Sequence, residues 1–581
     1  MKCLRKRWQR ERNLKPPPVK ALGILSTSMN SFNLRTNVRP LELVWLAALC
    51  AALLASAITT ERRTRQVEEN PSYCDPFGYL HMAQEVRRAA ANGTTPAFTI
   101  ESEHSRLLID FMQQQKVQLP LWDEMVAPLA YHYFPRADHL GVQYPPGAGL
   151  MLALFPEGRA LHRLNRLVIA VFAAAGLLLL IVAAIKRLPF AAGFIILTIT
   201  LALEMLAKLD NASFSMNALL VPLLLSALCL ASAWSMGAKT RKSFWVAWLL
   251  VLLAGLLFGF AVLSRLPVIF LLPGIVLLLW PGLRTLHRSA LVPFVLGVVL
   301  GGMLPLMVHQ SRVAGAWYLT TYGQSDITSP TFERVRANAA FYFGPGKSGT
   351  VNWALPVVLV GCVGLLLLPK SRWHSDDPST LLPRPSWVRV IGAALLILVV
   401  SNIYFLSHFP AGHYYPWPAI LAALLTVSLG TLTLENHSVA RFASWKWPKR
   451  LLLVAACALS MLPGAFAMER AWSHYAEPTT EIAVKQFSLP AELKNESAWV
   501  WACELSGTLW YYARKPAHKL TSTNADTREL VFRFVRERHE PQYLINDGPS
   551  MQAVADEVVQ LGGKLELRGE IDNHPYYLIH W

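Results

Sequence analysis

Two aspartates, an aromatic–proline–glycine run and a few isolated cations are the parts of this 581-residue chain that could do chemistry. Asp75 stands in Cys74-Asp75-Pro76-Phe77-Gly78-Tyr79. Asp138 stands in Arg136-Ala137-Asp138-His139, shortly before Gln143-Tyr144-Pro145-Pro146-Gly147-Ala148-Gly149. An ionised carboxylate can take the proton from a hydroxyl as that hydroxyl attacks. Asp75 also suits a helix cap, because Pro76 fits the first helical position, and the two roles are compatible. Tyr79, Leu80, Met82, Ala83 and Val86 then predict an amphipathic helix lying on a membrane surface. In the second run the two prolines enforce an extended approach, and Gly147 and Gly149 permit close packing. Leu150–Phe155 then dips back toward the bilayer; the plainer alternative is a turn before an interfacial helix.

Arg265, in Ser264-Arg265-Leu266-Pro267, ends an apolar run on the side where basic residues are scarce. That makes it a phosphate-binding candidate, with snorkelling to the interface as the alternative. Lys208 and Arg312 are similar candidates. Asp210, Asn211 and Asn217 lie at another span end and read as caps. His408 and His413 flank Pro410-Ala411-Gly412 and either donate to phosphate or satisfy a local hydrogen bond. No Cys/His spacing suits a metal, so no cofactor is certain and a divalent ion stays open. Cys74 and Cys503 would face one compartment, which leaves a disulfide between them open.

The elements that must position these residues are membrane spans. With 53% hydrophobic and 16% charged residues the chain is too apolar for an ordinary soluble protein. Apolar runs predict about eleven transmembrane helices, near Leu41–Thr59, Leu164–Ile185, Pro189–Leu206, Asn217–Ser235, Phe244–Leu263, Pro267–Trp280, Ala290–Val308, Trp353–Leu368, Val388–Leu406, Trp417–Leu434 and Leu451–Ala467. The net charge of +17 tracks short loops, so positive-inside topology explains it better than nucleic-acid binding. Lys186-Arg187, Lys239 with Arg241-Lys242, Arg284 with Arg288, Lys370 with Arg372, and Lys449-Arg450 fall in every second loop. The expected protein is therefore a multi-pass protein of the inner (plasma) membrane, N-terminus cytoplasmic and C-terminus outside. Its expected parts are a basic tail (1–40), a transmembrane domain (41–467) with outer loops 61–163 and 309–352, and a soluble outer domain (468–581). In the last part, Ala498–Ala502, Gln542–Asn546, Lys564–Arg568 and Tyr576–His580 read as strands, and Asp526–Glu537 and Ser550–Leu561 as helices: a small α/β domain.

Three features share an order and a topology: an acid early in the first outer loop, Tyr144-Pro145-Pro146-Gly147 before a short apolar helix, and Gly412-His413-Tyr414-Tyr415-Pro416-Trp417-Pro418-Ala419. In this the chain resembles the GT-C superfamily, membrane glycosyltransferases that use polyprenyl-phosphate sugars, in the branch of aminoarabinose transferases and protein O-mannosyltransferases. The resemblance covers roughly Leu41 to Leu434. It departs where an acidic pair is common, since Pro76 follows Asp75, and where Arg-Tyr is common, since His413-Tyr414 stands there. The resemblance implies a GT-C-like helical fold and inverting transfer of a sugar from a polyprenyl-phosphate donor to a lipid, glycan or protein acceptor. It implies Asp75 as base and Asp138 as a second acid that orients the acceptor or helps hold a metal. Around the substrates it implies Tyr79, His139, Tyr144, Lys208, Arg265, Arg312, His413 and Tyr414. Two other readings stay open: a transporter or flippase of lipid-linked sugars, and a polysaccharide ligase or polymerase. A transporter should place ionisable groups at the bilayer midplane, where Glu204 is the main example here. A ligase or polymerase would use the later loop His309–Asn352, with Arg312, Arg334, Arg336 and Lys347. The soluble outer domain (468–581) could also be a binding module for the acceptor.

Overall fold

The computed structural model describes residues 40–65, 76–186, 188–208, 214–236, 241–280, 290–322, 331–343, 357–359, 361–366, 386–407, 415–436 and 488–581. Residues Leu49–Trp581 form one compact unit, and Met1–Ala48 another; of the latter only the start of helix α1 (Pro40–Arg65) is described.

After α1 comes a polar segment with α2 (Pro76–Asn92), β1 (Thr99–Ile100), α3 (Glu103–Gln114), β2 (Tyr131–Phe134), β3 (His139–Val142) and the short α4 (Gly147–Ala153). Its strands form an antiparallel sheet in the order β1-β3-β2, with Phe134 opposite His139 across the turn that carries Asp138. The bundle follows: α5 (Ala160–Ile185), α6 (Pro189–Lys208), α7 (Phe214–Met236), α8 (Arg241–Ser264), α9 (Leu272–Leu279), α10 (Leu291–Val313), α11 (Phe332–Phe343), α12 (Trp387–Ser407) and α13 (Trp417–Asn436). Among the described residues six helices are long and apolar enough to cross a membrane: α5, α7, α8, α10, α12 and α13. Phe190–Leu206 and Leu266–Leu279 are apolar but shorter. The expected span Leu451–Ala467 and the basic tail up to Arg39 lie outside the described residues.

The tightest crossing in the bundle is between α8 and α10. A Cβ on Gly255 would lie 2.1 Å from the Phe294 carbonyl oxygen, and one on Gly297 2.3 Å from that of Leu252. One on Gly301 would lie 2.3 Å from the carbonyl oxygen of Leu256. Glycines four apart on both helices thus let backbone meet backbone, the way membrane helices gain packing without a hydrophobic drive between them. At the same place α10 widens into a π-turn, Val299–Met303.

The C-terminal domain has β4 (Trp499–Trp501), α14 (Ser506–Ala513), α15 (Ala525–Glu537), β5 (Gln542–Ile545), α16 (Pro549–Gln560), β6 (Lys564–Ile571) and β7 (His574–His580). Its sheet runs β4-β5-β7-β6, with β4 and β5 parallel and the other pairs antiparallel. The four expected strands and two expected helices are present. Asn524 caps α15 by accepting from the Thr527 N–H at 2.9 Å, and Pro549 opens α16. Sequence patterning missed α14, whose first five residues are buried. The core is Val500, Leu505, Leu509, Ile545 and their neighbours, with Trp499 and Trp501 fully enclosed.

This domain packs directly on the first polar segment. The Leu129 N–H donates to Ser506 Oγ at 2.9 Å, and the Lys519 N–H to the Met125 carbonyl at 3.1 Å. The His104 ring stacks on Trp499 and Phe111 on Phe534, each with centroids 4.2 Å apart. Four histidines are buried in and beside this junction: His81, His104, His132 and His518.

Candidate functional site

Pro76 is the first residue of α2, and Pro76 through Ala83 are all buried. The helix therefore does not lie on a membrane surface with one face free. One side meets α4, and the other meets the C-terminal domain, where the Phe77 ring is 5.2 Å from Tyr511 and 5.7 Å from Tyr512. The sequence pattern could not show that second cover, because its residues lie more than 400 positions away.

The Pro145-Pro146 run delivers α4 into the gap between α2 and the end of α8. A Cβ on Gly149 would lie 2.5 Å from the Met82 Cβ, and one on Gly147 2.5 Å from the Ser264 backbone nitrogen. Both positions demand glycine for closeness alone. Tyr144 stacks on Tyr79 with centroids 4.6 Å apart, both rings buried. His309 Nε2 donates to the Tyr144 carbonyl at 3.1 Å and fixes the run from the α10 side.

Arg265 follows Ser264 directly, so the α4 wedge ends beside it. The residue has an extended backbone ahead of the Leu266–Leu271 3-10 turn. Its Nη1 donates to Ser215 Oγ at 2.9 Å, at the start of α7, and its guanidinium lies 4.4 Å from the centroid of the Tyr415 ring. A delocalised, weakly hydrated cation on an aromatic face is held in place by that contact as well as by the hydrogen bond. The Arg265 charge is also felt at the Tyr342 hydroxyl, which burial pushes above the ordinary phenol range and Arg265 pulls the other way. Tyr404 adds a further phenol to this group through its influence on Tyr342, and Asn338 Nδ2 donates to the Leu406 carbonyl at 2.9 Å.

Asp138 belongs to a second group. It occupies the left-handed region at the β2–β3 turn, φ 52°. Its carboxylate accepts from Arg106 Nη1 at 2.8 Å and the Tyr133 hydroxyl at 2.9 Å, and its side chain is 64% exposed. These donors hold its pKa below the usual carboxylate value, the Arg106 hydrogen bond foremost. Beside it, His139 Nε2 donates to the Val313 carbonyl at 2.8 Å and ties the hairpin to the end of α10. Arg312 is exposed in the last turn of α10.

The structure thus joins Tyr79, Tyr144 and the Arg265 neighbourhood through α4, and keeps Asp138 and His139 on a separate turn. Asp75, His408, His413 and Tyr414 lie outside the described residues, as do Cys74, Asp210, Asn211 and the side chain of Lys208. Asn217 is not a cap: its Nδ2 donates to Asn165 Oδ1 at 2.7 Å, a buried link between α7 and α5. Sequence reasoning missed Ser215 and Tyr415 as Arg265 partners. Tyr415 stood inside the quoted Gly412–Ala419 run and was in reach of that reasoning; Ser215 carried no signal. Among the described residues no three His, Cys, Asp or Glu side chains converge as a metal site.

No protein-family profile and no curated protein matches the chain. Among solved structures it is similar to the Archaeoglobus fulgidus oligosaccharyltransferase in the apo form, at 11% identity and TM-score 0.41, over 86% of this chain and 69% of that one. The archaeal oligosaccharyltransferase AglB from the same organism, in complex with an inhibitory peptide and a dolichol-phosphate, gives 11% identity and TM-score 0.40, over 90% and 73%. Likeness this distant carries no inference about chemistry.

Proposed function

We propose that the chain is a membrane glycosyltransferase that moves a sugar from a polyprenyl-phosphate donor to a cell-envelope acceptor on the extracytoplasmic face, with inversion. The observation that carries this reading is Arg265, a cation held part-buried by Ser215 and Tyr415 at the polar end of an apolar helix, directly after the residue on which the α4 wedge rests. A charge kept at such a helix end suits an anion anchored in the membrane.

In the proposed step the acceptor hydroxyl oxygen attacks the anomeric carbon while the carbon–oxygen bond to phosphate breaks. The electron pair leaves with the polyprenyl phosphate, whose charge Arg265 stabilises. Asp75 takes the hydroxyl proton. Asp75 adjoins Pro76 in sequence, and α2 touches both α4 and α7, the helix that supplies Ser215. Tyr79 and Tyr144 frame the approach. Lys208, Arg312, His413 and Tyr414 complete the donor side in this reading, and Asp138 and His139 shape the acceptor side through the β2–β3 turn. The topology follows from the alternation of basic loops.

The test is purified protein in nanodiscs, a labelled polyprenyl-phosphate sugar, and an envelope extract as acceptor source. Label should enter the acceptor fraction with inverted anomeric configuration. Label that crosses a vesicle bilayer without being transferred would establish a flippase instead.

A further inference from the structure

At the second half of α2 lies a cleft of about 500 Å³, lined by Gln84, Glu85, Arg87, Arg88, Glu157 and Arg514. Three separate parts of the chain build it: the second half of α2, the turn between α4 and α5, and the end of α14. Arg87 holds the turn in place, donating from Nη1 to the Phe155 carbonyl at 2.6 Å. Gln84 Nε2 reaches both the Glu157 carboxylate and the Tyr511 hydroxyl, joining the turn to the C-terminal domain. Arg88 is largely exposed and sits 3.2 Å from Glu85.

Arg514 is the telling residue. It closes α14 in the left-handed conformation, φ 52°, where glycine is the usual occupant. Arg514 is exposed and lines the cleft.

The depth of the cleft identifies its ligand. Glu157 stands three residues before Ala160, where the membrane-length helix α5 begins, and Leu154 on the same turn is 73% exposed. A turn that leads within three residues into a membrane-length helix lies close to where lipid headgroups meet the protein. At that level the cleft offers guanidinium forks for a phosphate and carboxylates for neighbouring hydroxyls.

We propose that this cleft binds the phosphate and hydroxyls of an anionic polyol-phosphate lipid headgroup, and that the bound lipid fastens the C-terminal domain to α2 and to the start of α5. The inference is independent of the transferase reading, and its test uses no donor and no turnover.

The experiment is lipid exchange followed by native mass spectrometry of the full chain. It uses phosphatidylcholine nanodiscs doped with phosphatidylglycerol, with phosphatidic acid as the headgroup lacking hydroxyls and soluble glycerol 1-phosphate as the free anion. Phosphatidylglycerol should be retained, phosphatidic acid less so, and glycerol 1-phosphate far less. Arg514→Gly should keep the fold, since glycine suits φ 52°, yet weaken phosphatidylglycerol binding roughly tenfold. Arg88→Gln should weaken it as well, and Arg568→Gln, on remote strand β6, should not. Equal retention by Arg514→Gly and the parent protein overturns the proposal. So does equal binding of soluble glycerol 1-phosphate, which would make the cleft a plain anion site.

Discussion

At Arg265, two contacts with different physics meet: a hydrogen bond to Ser215 and a cation–π contact with Tyr415. If the guanidinium holds a departing phosphate, Arg265→Ala should cut donor-dependent turnover sharply. Arg265→Lys should restore only part, because an ammonium is a point charge and cannot match a planar fork. Unchanged turnover in the alanine variant would leave Arg265 as an interfacial anchor. Tyr415→Phe should cost little, and Tyr415→Leu should loosen the guanidinium by about 0.5–2 kcal/mol, read as a rise in donor KM. Asp75 is tested by replacement with asparagine, which caps a helix about as well as aspartate but accepts no proton. A well-folded Asp75→Asn protein should bind donor yet lose transfer by roughly a hundredfold or more. Near-normal transfer would restrict Asp75 to capping α2 and move the search to Asp138.

At the scale of elements, the α8–α10 crossing is where the bundle has least room. Gly255, Gly297 and Gly301 each face a carbonyl oxygen of the opposite helix. A leucine at Gly301 cannot be absorbed by a side-chain rotation, since the obstacle is backbone. Gly301→Leu should force the helices apart at a cost of about 1–3 kcal/mol or more and lower the thermal unfolding midpoint in detergent. Gly392→Ala, where the nearest atom is the flexible end of the Leu277 side chain at 3.2 Å, is the control and should change little. Because α8 ends directly before Arg265, a shift in this crossing should also raise donor KM.

Across the whole molecule, the junction between the first polar segment and the C-terminal domain is built on neutral imidazoles. Burial pushes His81, His104 and His132 down to about 4, and His518 to about 3. Arg514, Lys515 and Lys519 push in the same direction. The unfolded chain then binds more protons than the folded one between the ordinary histidine value and about 4. Stability from these rings is therefore complete above the ordinary value and lost as pH falls through that window. Asp123 opposes the trend: burial raises it to about 6, so its folded state gains protons over part of the same range. Burial raises Glu504 and Asp547 as well, and four rings against three carboxyls leave a net loss. The unfolding midpoint should fall by roughly 5–10 °C between pH 7.5 and pH 5, with early exchange of amide protons in α14. A flat profile would show that the junction tolerates charged imidazole.

What the sequence determined by itself is what rests on local pattern and composition. The membrane class, the helix beginning at Pro76, and the strands and the α15 and α16 helices of the C-terminal domain follow from apolar runs, caps and alternation, because each is set by neighbours in the chain. Close packing at Gly147 and Gly149 was legible as one of two readings of the run, beside a simple turn, and the contacts with Met82 and Ser264 decide for it. The tertiary structure decided what those segments meet. It placed the C-terminal domain on α2, so the first half of a helix that reads as amphipathic is enclosed on both sides. It turned Asn217 from a cap into a link with Asn165, and gave Arg265 its Ser215 and Tyr415 partners from 50 and 150 residues away. It brought Arg514 to α2 and the α5 entrance. Such contacts depend on how elements dock, and docking is decided by shape and burial summed over many residues, which no short window of sequence contains.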